Sequence, residues 1–152
     1  LLASYPNGLT GEQLLLLLYG DGGSLTTLKA TLSKIRQYIP LTSRLYKISV
    51  EYQADFLEID ALLEKGEVEN AFQLYKGPLL LKSDVPSIIE MREVLDEKMR
   101  QAMLNSGNHS LLEQYAAINQ DDLEVLERWL QVIPQNHPQR AFLNVMIKRL
   151  MV

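Results

Sequence analysis

Glycine and proline cut this chain into short helical segments, and that punctuation constrains the fold more than any other feature. There are 8 glycines and 6 prolines in 152 residues, and most fall where an apolar period of three or four residues stops. Tyr5-Pro6-Asn7-Gly8 closes a short apolar stub that reads as the last turn of a helix. Thr10 with Gln13 has the spacing of a capping box, and Gly20 suits the end of the helix they open. Ser24 caps a second helix, expected from Leu25 to Ile39 and stopped by Pro40. Within it Leu28, Leu32, Ile35 and Ile39 share one face. Leu45 to Val50 alternates with a period of two and predicts a short strand or hairpin.

From Asp55 onward the pattern is helical throughout. Asp55 with Glu58 reads as another capping box, and Gly66, Lys76-Gly77-Pro78, Gly107-Asn108 and Pro134 are the breaks. A long helix is expected from about Pro86 to Asn105. Leu79 to Val85 reads as an apolar linker packed against the body, and Asp121 with Glu124 as the cap of the segment carrying Leu126 and Leu130. The recurring unit is a helix pair joined by a short loop, as in stacked helical repeats.

Composition excludes several classes. Cysteine is absent, which removes disulfide scaffolds, thiolate metal sites and thiol nucleophiles. No apolar run approaches the roughly 20 residues of a membrane span. His109 and His137 lie at inter-helix loops without helical metal-ligand spacing. Gly20-Asp21-Gly22-Gly23 follows a helix, whereas phosphate-binding glycine loops follow a strand. No nucleophile elbow or calcium loop is visible, so neither enzymatic activity nor a metal or other cofactor is expected. The expected setting is the cytoplasm. The chain opens on Leu1, which suggests a piece of a longer protein.

Charge is unevenly placed. The formal net charge is −4, but residues 1–51 hold five basic and three acidic residues, while 52–152 hold ten and sixteen. Between Asp21 and Glu51 lie Lys29, Lys34, Arg36, Arg44 and Lys47, with no acidic residue. Helix, tight turn, basic second helix and hairpin is the order of a winged helix–turn–helix. A helix entering the major groove needs short side chains at its centre and cations at its edges. Thr26, Ala30, Thr31 and Ser33 with Lys29, Lys34 and Arg36 meet that need. An ordinary amphipathic helix with a mildly basic outer face meets it equally well.

Leu28-Lys29-Ala30-Thr31-Leu32-Ser33-Lys34-Ile35-Arg36 resembles the recognition helix of OmpR-like winged-helix effector domains, and Tyr46-Lys47-Ile48 looks like the closing strand of their wing. Leu62-Leu63-Glu64-Lys65-Gly66 and Ala71-Phe72-Gln73-Leu74-Tyr75-Lys76-Gly77-Pro78-Leu79-Leu80 are similar to the helical bacterial transcriptional activation region of SARP-type regulators. The overall pattern resembles the C-terminal region of bacterial regulators that carry an N-terminal GAF sensor domain. The resemblance implies a mainly α protein: a truncated winged helix–turn–helix with a short β-hairpin over residues 1–52, then a TPR-like helical bundle over 53–152. It implies double-stranded DNA as partner, with RNA polymerase or another regulatory protein beside it, a sensor domain upstream, and room for a homodimer. With the basic pattern, it makes Thr27, Lys29, Ala30, Thr31, Ser33, Lys34, Arg36, Arg44 and Lys47 the candidate DNA-binding residues. Two departures are plain: the wing stretch Thr42-Ser43-Arg44-Leu45-Tyr46 lacks glycine, and Ser33 stands where a basic residue is common. The rival expectation is a non-catalytic protein-interaction module.

Overall fold

Thr10 starts the first helix as its spacing demands. Its hydroxyl accepts from the Gln13 amide at 3.1 Å, and the Gln13 side chain accepts from the Thr10 amide at 2.9 Å. The computed structural model describes residues 1–151. A 3₁₀ turn at Leu2–Ser4 precedes α1 (Gly11–Tyr19), and a second 3₁₀ turn (Gly20–Gly22) joins it to α2 (Leu25–Ile35). There follow α3 (Asp55–Glu64), α4 (Val68–Leu74), α5 (Pro86–Ser106), α6 (His109–Ile118), α7 (Leu123–Val132) and α8 (Gln139–Leu150).

The expected winged helix with its β-hairpin is not what the chain forms: the described residues hold helices and no strand. Residues 41–48 make only two isolated antiparallel bridges, Leu9 with Tyr46 and Leu41 with Ile48. The reason lies in where the backbone groups find partners. Tyr46 exchanges both its bonds with Leu9, at 2.8 and 3.0 Å, and the Thr42 hydroxyl donates to the Leu45 carbonyl, closing a local turn. An isolated two-stranded ribbon is marginal in water, and this one is replaced by scattered bonds. Alternation still sorts the side chains, since Tyr46 and Ile48 are half-buried while Leu45 and Lys47 are exposed. The helical bundle fits the expectation.

Other boundaries move for local reasons. α2 ends at Ile35, four residues before the expected Ile39, and passes into a turn in which the Gln37 and Tyr38 amides donate to the Lys34 and Ile35 carbonyls, while Pro40 disfavours helical backbone at Ile39. Ala54 rather than Asp55 occupies the N-cap of α3, so the expected Asp55–Glu58 box does not form. Instead the Asp55 carboxylate accepts from the neighbouring Phe56 amide at 2.8 Å. Asp122, not Asp121, caps α7. Leu80 and Leu81 of the linker are 61% and 67% exposed, against the expected packing. Arg92 accounts for that: its guanidinium donates to the Leu81 carbonyl at 2.9 Å and the Ser83 carbonyl at 2.7 Å. The linker is therefore held by its backbone, and its leucines turn outward.

Buried side chains fall into two clusters. Leu9, Leu14, Leu28 and Leu32 form the smaller, between α1, α2 and the 41–48 segment. The larger runs through α3 to α8 around Met99, Met103, Leu112, Val125, Trp129 and Leu143. Arginines from later helices lock onto the C-terminal ends of earlier ones, where carbonyls lack partners. Arg128 of α7 donates to Leu104 at the end of α5 (3.0 Å), and Arg140 of α8 donates to Leu130 and Ile133 at the end of α7 (2.9 and 3.0 Å). The small unit rests on α5, where Ser87 donates to the Leu17 carbonyl at 2.7 Å.

Gly8 lies where the 41–48 segment closes on the small unit. Its φ is +85°, and a Cβ there would lie 3.0 Å from Leu45 Cβ, 3.1 Å from Lys47 Cβ and 3.3 Å from the Tyr46 carbonyl. Those atoms belong to the chain's own framework and yield poorly. Gly8→Ala is therefore expected to cost about 1–3 kcal/mol, read as a lowered urea midpoint. A midpoint unchanged from wild type would mean that the 41–48 segment is not packed on Gly8.

Candidate nucleic-acid interface

α2 carries the candidate surface. At about 100° per residue, Leu28 and Leu32 turn into the small core, and Thr26, Ala30 and Ser33 occupy the centre of the opposite, exposed face. Lys34 and Thr27 flank that face on one side, Lys29 on the other, and all three are exposed. Thr31 is half-buried, and its hydroxyl donates to the Thr27 carbonyl at 3.0 Å. Back-bonding of this kind takes the hydroxyl out of reach of a base edge.

Arg36 sits at the end of α2 but turns toward the protein. It donates to the Thr42 carbonyl at 3.3 Å, and its guanidinium carbon lies 5.8 Å from the centroid of the Tyr46 ring. It thus fastens the 41–48 segment to α2. Arg44 and Lys47 are exposed on that segment, which Leu9 and Gly8 hold against the start of α1. The structure brings Thr27, Lys29, Ala30, Ser33 and Lys34 onto one helix face and sets Arg44 and Lys47 on a neighbouring segment. Arg36 and Thr31 are occupied internally.

The ion pairs lie elsewhere. Among the described residues every salt bridge belongs to the α3–α8 half: Lys98 with Asp60 and Glu64, and Arg100 with Glu97, Asp122 and Glu124. None of Lys29, Lys34, Arg36, Arg44 and Lys47 meets a carboxylate within 4 Å. Tyr38, just past the end of α2, is 84% exposed.

His109 and His137 approach to 6.2 Å between ring centroids, but among the described residues no three His, Cys, Asp or Glu side chains gather as a metal site would require. Burial pushes the Tyr75 hydroxyl and the Asp96 carboxyl upward, and the two share a hydrogen bond of 2.8 Å that ties the end of α4 to α5. Among the described residues no helix is long and apolar enough to cross a membrane.

Fold and surface together define, among the described residues, an all-helical protein with two hydrophobic clusters, and a group of cations without acidic neighbours in sequence on one helix and an adjoining loop. No family model and no solved structure matches the chain. It is 33% identical over 145 residues to an uncharacterized 47.3 kDa protein in the thcA 5′ region of Rhodococcus erythropolis. That similarity takes in 91% of this chain and 33% of the relative. The chain thus spans about a third of the length of the curated relative it matches.

Proposed function

We propose that the α1–α2 unit binds double-stranded DNA, with the Thr26–Ala30–Ser33 face of α2 toward the major groove. The observation that carries this reading is the separation of charge. The chain's acidic residues are concentrated in the other half, whereas residues 22–50 hold five cations and no acidic residue. Small side chains at the centre of the face would let the helix backbone approach base edges. Lys29, Lys34, Arg44 and Lys47 would meet phosphates. In this reading the protein is part of a cytoplasmic transcriptional regulator. A sensor domain would precede it, and the helical half would mediate dimerisation or contact with RNA polymerase.

Anisotropy titrations of a labelled promoter duplex at several salt concentrations test it. Binding should weaken steeply with salt, and K29A/K34A should reduce the slope by about two contacts. Absence of salt-dependent binding to any duplex would sink the proposal. Arg36→Ala is expected to act differently, lowering stability by loosening the 41–48 segment. The rival reading is a protein-interaction module, favoured by the missing hairpin and by the inward turn of Arg36. It predicts no DNA binding and leaves the acidic half as the working surface.

A further inference from the structure

α8 is apolar on two sides. Leu143 and Ile147 pack into the large core. On the opposite side Phe142 is 59% and Val145 65% exposed, beside Ala141. The same outward face continues into Lys148 and Arg149 in the last turn, and neither cation meets a carboxylate among the described residues. An exposed aromatic and a branched aliphatic side chain on one helix face make a surface suited to a partner. The outward face of α8 is thus an apolar anchor with a cationic end.

A second uncovered apolar surface has the opposite charge. Between α3 and α5 lies a groove of about 620 Å³ lined by Leu63, Val94 and Ala102, with Glu64, Glu93 and Glu97 on its rim. Val94 is 51% exposed. Lys98, the one cation of the groove, is held by Asp60 at 2.5 Å and Glu64 at 3.9 Å, and Arg100 reaches Glu97 at 3.8 Å, which leaves Glu93 as the unpaired carboxylate of the rim. Glu93 meets no cation among the described residues.

We infer that the outward face of α8 on one copy docks into the α3–α5 groove of a second copy. Phe142 and Val145 would cover Leu63 and Val94, and Lys148 and Arg149 would meet Glu93. Charge complementarity selects this pairing. Residues 52–152 hold sixteen acidic against ten basic residues, so two such halves repel in most orientations. This orientation sets the cationic end of one against the acidic rim of the other. Donor and acceptor are different patches, so the contact builds either a reciprocal pair or a head-to-tail series. It uses none of the α2 cations and stands or falls separately from DNA binding.

Sedimentation velocity of the chain from about 10 µM to about 1 mM tests this, a range suited to a single-helix contact. The average mass should rise with concentration. V145E, which spoils the anchor, and V94E, which spoils the groove, should each remain monomeric. Both positions are exposed, and far-UV circular dichroism would verify that both variants are folded. An equimolar mixture of the two should associate, because one supplies an intact groove and the other an intact α8. Arg149→Glu should weaken association at least tenfold, with partial recovery when mixed with E93R. A wild-type chain monomeric throughout would overturn the proposal, as would V94E associating like wild type. A mixture that stays monomeric would do the same.

Discussion

Replacing Trp129 with alanine will destabilise the helical half by about 3–5 kcal/mol, the range for removing a large aromatic side chain from a packed core. Trp129 is the only tryptophan in the chain and sits on the inner face of α7, 5% exposed, in the cluster that holds Val125, Leu126 and Ile133. Little nearby can collapse into the space it leaves, since Val125, Met103 and Leu112 are themselves fully buried. A domain of this size has only about 5–15 kcal/mol of net stability, so the variant approaches the limit of folding. Trp129→Phe should behave differently. The indole Nε1 is buried without a hydrogen-bond partner, and an unmet buried donor is itself costly. Phenylalanine gives up some volume but removes that donor, and the loss should stay below about 1.5 kcal/mol. Urea unfolding followed by circular dichroism distinguishes the two. If W129A lost less than about 1 kcal/mol, α7 would not be packed as described.

Asp122→Ala is expected to cost about 2–3 kcal/mol near neutral pH, combining a lost helix cap with lost charged hydrogen bonds. Asp122 receives Arg100 Nε at 2.6 Å and Nη2 at 3.0 Å, and it accepts the Val125 amide at 3.2 Å as the cap of α7. The same guanidinium reaches Glu124 at 2.6 Å, so one arginine gathers the start of α7 onto α5. Burial by itself would push the Asp122 carboxyl up. The Arg100 and Val125 hydrogen bonds outweigh it and hold the carboxyl below its usual range. A folded pKa below the unfolded value, near about 3.9, gives stability that is fully present above that value and lost as pH falls through the folded pKa. Wild type should therefore weaken on acidification below about pH 4 more steeply than D122A. The gap between them should shrink as the carboxyl is protonated. Asp122→Asn keeps a capping acceptor without the charge and should fall between the two. Parallel acid limbs for wild type and D122A would show that Asp122 is not the linked group.

How much of this was readable from residues depends on how far apart the partners lie. The Thr10–Gln13 box, the Ser24 cap, the proline at the start of α5 and the glycine at its end each involve groups within a few positions, and each stands where the pattern placed it. The Asp55–Glu58 box failed by one residue, because the extended backbone at Ala54, not the type of residue that follows, decides which position is the cap. The hairpin failed for a longer-range reason. Alternation states which side chains share a face, but a ladder needs a partner strand, and Tyr46 finds Leu9, 37 positions away in sequence. For the candidate interface, the face of α2 was legible from its period. The inward commitment of Arg36 to Thr42 and Tyr46 was not.

By itself the sequence determined the helices and the separation of charge, because capping, periodicity and the identity of charged residues act within a few positions. It also placed a basic stretch before an acidic helical half. Only the tertiary structure decided which of those cations remain without a carboxylate, that residues 41–48 form bridges instead of a wing, and that Leu80 and Leu81 face outward on a linker held by Arg92. The α3–α5 groove and the outer face of α8 likewise exist only once the helices are stacked. Each of these outcomes depends on which distant backbone group or side chain makes the more favourable hydrogen-bonding or apolar contact, and no local pattern specifies that competition.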